Sequence, residues 1–146
     1  MSDNLWRTVT SGVFPLAARF AICCIFVQGA MGKIFGWSGQ SAYMEQHGVG
    51  PTTPLLATAL AVEVIGVICL LIGYQARWAA LAMAAYLVAV TVLLHNFWNR
   101  SGMAQMMAQT EFMKNVAIIG GLLMIVSFGT GRFSLDHVGG GTRGRL

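Results

Sequence analysis

Apolar residues in this chain come as long runs broken only by isolated polar positions, without the strict alternation of a half-buried strand or the single stripe of a soluble amphipathic helix. "LLATALAVEVIGVICLLIG", residues 55–73, shows the pattern. About 20 apolar residues in a row is the length that crosses a bilayer as a helix. Four runs reach or approach it: residues 14–35, 55–73, 78–98 and 112–129. Turn residues separate them, "GWSGQ" and "GVGPTTP" after the first, "GYQAR" after the second and "NRSG" after the third. The pattern predicts an all-α integral membrane four-helix bundle, one domain over residues 1–146, with a flexible basic tail at 137–146. The last run is the shortest. It is expected to stand nearly upright or to begin in a re-entrant loop.

Composition agrees. Hydrophobic residues make up 56% of the 146 and charged residues 10%, with a mean hydropathy of +0.68. A soluble domain carries about 25% charged residues. The net charge is +4, but no basic patch interleaves with aromatics, so nucleic acid is not an expected partner. The apolar run after the N-terminus continues to Phe35 with Arg19 near its start, which reads as a retained first helix and not as a cleaved leader. Cys23, Cys24 and Cys69 all fall inside apolar runs and read as small buried residues.

Lys and Arg set the orientation. With the N-terminus inside, Arg7, Arg19, Arg77, Arg132, Arg143 and Arg145 lie on the cytoplasmic side, and Lys33, Arg100 and Lys114 lie outside. Both termini are therefore expected in the cytoplasm. Trp6, Trp37, Trp78, Trp98 and Phe133 fall near the run ends, as amphipathic rings do at headgroup level.

The polar residues inside the runs carry the candidate chemistry. Glu63 lies near the midplane, about 12 Å below the outer surface at about 1.5 Å per residue. Gln28 reaches a similar depth, and Lys33, His95, Asn96, Lys114 and Asn115 fall within about two turns of the outer edge. Arg19 sits about 8 Å above the inner surface. Ionisable residues in a membrane usually face the bundle interior. Glu63 can pair with Arg19 or Lys33, or be protonated and hydrogen-bonded to Gln28. Such contacts can be purely structural, or they can line a pocket for a polar head group or a proton path. His95, beside Asn96, fits a hydrogen-bonding or proton-exchanging role better than a haem ligand. No HExxH or CxxC occurs, so no metal site is expected. Met103, Met106 and Met107 read as an apolar stripe on an interfacial helix, ahead of a copper site.

Several stretches together resemble the DoxX family of small four-helix bacterial inner-membrane proteins. They are "RFAICCIFVQGAMGKIF", "VEVIGVICLLIGYQARWAAL", "HNFW", "FMKNVAIIGGLLMI" and "GTGRFSLD". The resemblance implies a multi-pass protein of the inner membrane and a redox-linked subunit with a quinone-type pocket in the outer half of the bundle. Lys33, His95 and Lys114 would then hold head-group oxygens, Glu63 would relay protons, and Gln28, Asn96, Asn115 and Arg19 would complete the site. It also implies a sulfurtransferase-like or superoxide-detoxifying partner subunit. The residues by themselves leave two other readings open: a non-enzymatic membrane scaffold or assembly partner, packed through small residues such as Gly29, Gly32, Gly36 and Gly120–Gly121, and a small transporter. A homo-oligomer is compatible with each.

Overall fold

The structure is a computed structural model that describes residues 2–140, with side chains described over 4–138. Every regular element among these residues is helical: α1 (Ser2–Thr8), a π turn (Val9–Val13), α2 (Phe14–Phe35), α3 (Trp37–Gln46), α4 (Thr52–Ile72), α5 (Ala76–Leu94), a 3-10 turn (Phe97–Asn99), α6 (Gly102–Phe128) and α7 (Leu135–Gly140). Four stretches are long and apolar enough to cross a membrane: Asn4–Phe35, Thr52–Ile72, Ala76–Asn99 and Gly102–Phe128. The all-α four-span bundle expected from the sequence is the fold observed.

Three boundaries differ from expectation, each for a local reason. "GWSGQ" is not a turn. The chain pivots only at Gly36, whose N–H returns to Gly32 O at 2.9 Å, and continues as α3. The third helix stops at Leu94, four residues before the expected end, where the His95 amide donates to Thr91 O and Asn96 turns extended. The fourth helix is not short. It begins at Gly102, because "MAQMMAQTEFMK" lowers the hydropathy without lowering helix propensity. Its 27 residues span about 40 Å, more than the hydrocarbon thickness of about 30 Å. The basic tail expected at 137–146 begins inside α7, and its residues 141–146, with Arg143 and Arg145, lie outside the described residues.

The helices pack in the order α2–α4–α5–α6, and α2 barely meets α6. The core joins Cys23 and Phe26 of α2, Val67 and Leu70 of α4, Met83 and Leu87 of α5, and Leu122 and Ile125 of α6. Ala76, Ala80 and Ala84 form a ridge of small buried residues on α5, which lets its neighbours approach closely. The Met83 sulfur fills the notch that Gly66 leaves on α4.

A clasp closes the Arg19 end. Pro15 has no N–H, so Ser11 O loses its donor in the α register, and the proline ring crowds that carbonyl. The helix widens into the π turn there, and Ser11 O accepts instead from the Arg132 amide at 2.8 Å. Gly131, at φ +77°, makes this approach possible, since a Cβ would lie 2.6 Å from Ser11 O. The Asp136 carboxylate accepts from the Gln75 and Ala76 amides at 2.8 and 3.0 Å, capping α5 from across the chain. Arg19 sits in the middle, 0% exposed. It donates to Leu70 O at 2.8 Å, to Leu71 O at 3.4 Å, to Phe133 O at 2.5 Å and to Pro15 O at 3.4 Å.

Candidate functional site

At the opposite end the four long helices splay and enclose a cavity of about 570 Å³. The C-terminal half of α2, the N-terminal halves of α4 and α6 and the C-terminal half of α5 form its walls, and α3 lies across the top through Gln40, Tyr43 and Met44. Three contacts hold α3 there. Tyr43 OH donates to Leu94 O at 3.1 Å, Ser41 Oγ donates to Thr52 Oγ1 at 2.6 Å, and Arg100 bonds His47. His47 Nδ1 meets Tyr43 O at 2.6 Å, so its other ring nitrogen faces Arg100 as an acceptor.

Glu63 forms the floor and is 4% exposed. Its Oε1 accepts from Lys33 Nζ and from Tyr86 OH, both at 2.7 Å. Lys33 stands close to the end of α2, where a lysine normally snorkels out to the headgroups. Here it folds inward, passing 3.4 Å from Gly29 O, and its side chain is 12% exposed. The ion pair is what turns it. Glu63 Oε2 is buried without any partner among the described residues. On the wall, Asn115 is 5% exposed and makes no side-chain hydrogen bond among the described residues. A buried polar atom normally finds a partner, so Glu63 Oε2, with none beside the cavity that Asn115 also lines, marks a place where another molecule can bond. At the rim, Lys114 pairs with Glu111 at 2.5 Å, and His95 lies beside them.

The cavity therefore gathers Gln28, Lys33, Glu63, His95, Lys114 and Asn115 from four segments far apart in the chain. Asn96 is not in its lining, and Arg19 belongs to the clasp at the other end. Of the partners open to Glu63 on sequence grounds, the structure selects Lys33. Tyr86 was missed. Its signal was present: tyrosine gathers at the membrane interface, and one in mid-span needs a partner for its hydroxyl. Among the described residues no three His, Cys, Asp or Glu side chains come together as metal ligands.

Gly29 lets the floor close. A Cβ there would lie 3.1 Å from Glu63 Oε1 and 3.4 Å from Oε2. We expect Gly29→Val to push the carboxylate out of reach of Lys33 and to lower stability by about 1–3 kcal/mol, as overpacking does. Denaturant titration followed by tryptophan fluorescence checks this, and a variant as stable as the parent would show that the floor has room.

Comparison with known proteins gives the family. The SURF4 family model matches residues 53–139, which hold Glu63, Tyr86, His95 and Asn115. The inner membrane protein YphA of Escherichia coli is 33% identical over 127 residues, covering 86% of this chain and 89% of the relative. The inner membrane protein YqjF of the same organism is 33% identical over 124 residues, covering 84% and 89%. The ER-derived vesicles protein ERV29 of Saccharomyces cerevisiae is 32% identical over 78 residues, 53% of this chain but 25% of its own length. No solved structure matches. These matches overturn the DoxX assignment. The stretches that suggested it are apolar helix segments punctuated by glycines and basic residues, which the membrane itself favours in any small four-span protein. The redox-linked subunit and its quinone pocket rested on that assignment and fall with it. What remains is a multi-pass inner-membrane protein in contact with the bilayer, as expected, and the chain belongs to the SURF4 family.

Proposed function

We propose that this chain is a non-enzymatic, membrane-embedded binding scaffold that holds a polar group of another molecule in the cavity above Glu63. One observation carries the reading: Glu63 Oε2, at the cavity floor, is buried and has no partner among the described residues, while Oε1 is saturated. Asn115 supports it, lining the cavity with no side-chain hydrogen bond among the described residues. Lys33 and Tyr86 both donate to the same Glu63 oxygen, so the floor is arranged to hold charge still. The walls are mainly aliphatic, as in sites that bind by burial and orient by a few polar groups. The relatives carry the names of membrane and vesicle proteins, in keeping with a binding role.

Asn115→Leu tests it. Leucine has nearly the same size and removes an unpartnered amide, so the folded protein should be as stable as the parent or more so. Mass spectrometry of the protein extracted in mild detergent should find a molecule retained by the parent and lost from the variant. A variant that melts well below the parent would make Asn115 structural, and identical bound species in both proteins would leave the cavity without a binding role.

A further inference from the structure

The cavity has a side door. Helices α2 and α6 close on each other at Ile22 and Gly121, where a Cβ on the glycine would lie 3.0 Å from Ile22 Cδ1. Elsewhere α2 barely meets α6, and the cavity lies between them. On α2 the gap is edged by Gln28 and Gly32, both exposed. On α6 it is edged by Lys114 and Glu111, whose side chains are 42% and 43% exposed. Exposed Met31 of α2 and exposed Met113 and Val116 of α6 flank it, which are lipid-facing residues. A molecule in the bilayer can therefore reach the polar floor sideways, leaving its apolar part outside.

The charges in the cavity describe what it can take. Lys33 and Lys114 contribute two positive charges, Glu63 and Glu111 two negative ones, and each lysine already touches a glutamate. An anionic head group would need an unpaired cation, and a bare cation would need an unpaired carboxylate pair. A head group with one charge of each sign meets its complement twice while the cavity stays neutral. The polar atoms without partners are of matching kind. Glu63 Oε2 is an acceptor that wants an N–H donor, and the Asn115 amide can donate to a phosphate oxygen. A quaternary ammonium has no N–H and is held by aromatic faces; the floor offers a carboxylate instead. Resting on the binding-scaffold reading, we propose that the occupant is the phosphoethanolamine head group of an aminophospholipid, which enters between α2 and α6 while its acyl chains stay in the membrane. About 570 Å³ accommodates the head group and glycerol but not two acyl chains.

The test is native mass spectrometry of the full chain from nanodiscs holding equimolar phosphatidylethanolamine, phosphatidylcholine and phosphatidylglycerol. One phosphatidylethanolamine should stay bound, preferred at least about tenfold over the other two, a difference typical of one good charge-assisted contact. Asn115→Leu should lose it. Gly32→Phe is the control for folding. Its side chain has open space, with only Gln40 Nε2 at 3.8 Å from a Cβ, so the variant should melt like the parent while its ring obstructs the gap and releases the lipid. Equal retention of phosphatidylcholine would overturn the ammonium argument, and preference for phosphatidylglycerol the charge argument. A bound peptide or water-soluble molecule, released by Asn115→Leu, would overturn the lipid proposal and leave the binding scaffold standing. No bound species in any of the three proteins would overturn both.

Discussion

Arg19→Met is expected to lower stability by about 3–5 kcal/mol, the range of the most damaging single substitutions. The guanidinium is fully buried, and it reaches the carbonyls of Leu70 and Leu71 from one arm and that of Phe133 from the other. The first two belong to the last turn of α4, where helix carbonyls have no partner of their own and the helix dipole is negative. Methionine fills much of the volume but returns those carbonyls to an apolar surrounding, at about 1–3 kcal/mol for each one left unmade. Arg19→Lys should fall between the two proteins, because an ammonium is a point charge and cannot fork to both segments. Unfolding in denaturing detergent, followed by tryptophan fluorescence, should give the order parent, lysine, methionine. If the methionine variant unfolds with the parent, the clasp is held by Asp136 and the Ser11–Arg132 bond alone.

The four spans could be read from sequence because the bilayer demands one simple thing, a long apolar run with few charges. What interrupted the reading was polar sequence inside a helix. The first three turns of α6 hold Gln105, Gln109 and Glu111, and hydropathy drops where the backbone does not change. The site was half readable for a related reason. A charged or amide side chain in an apolar run stands out wherever it lies, so Lys33, Glu63, His95, Lys114 and Asn115 could all be found. Direction and rotation could not. Depth alone placed Arg19 among the same group, but its side chain turns toward the end of the bundle that Pro15, Gly73 and Asp136 hold together. Tyr86 was hidden because a tyrosine in an apolar run looks like one more aromatic. The family could not be read from such short stretches. Glycines where helices touch and basic residues at helix ends satisfy the membrane, so they do not by themselves distinguish one four-span family from another.

Lys33→Met is the other large effect, and it separates stability from binding. Removing one partner of a buried ion pair leaves an uncompensated charge and typically costs about 3–5 kcal/mol. The pair sits deep, with side chains 12% and 5% exposed, so the loss should fall in that range. Tyr86→Phe removes only a hydroxyl donor to the same oxygen and should cost about 1–2 kcal/mol. The double variant Lys33→Met with Glu63→Leu replaces the pair by apolar groups of similar volume. Such replacements are often neutral or stabilising, so the double variant should recover most of what Lys33→Met lost. A thermodynamic cycle over the parent, Lys33→Met, Glu63→Leu and the double variant isolates the coupling. If the pair exists only to hold α2 against α4, the repacked double variant should still retain whatever the parent binds. If it exists to hold a ligand, the double variant should fold as well as the parent and bind nothing, and we expect the second outcome. A double variant that stays as unstable as Lys33→Met would mean that removing Glu63 costs as much as it relieves, because the Tyr86 hydroxyl loses its acceptor.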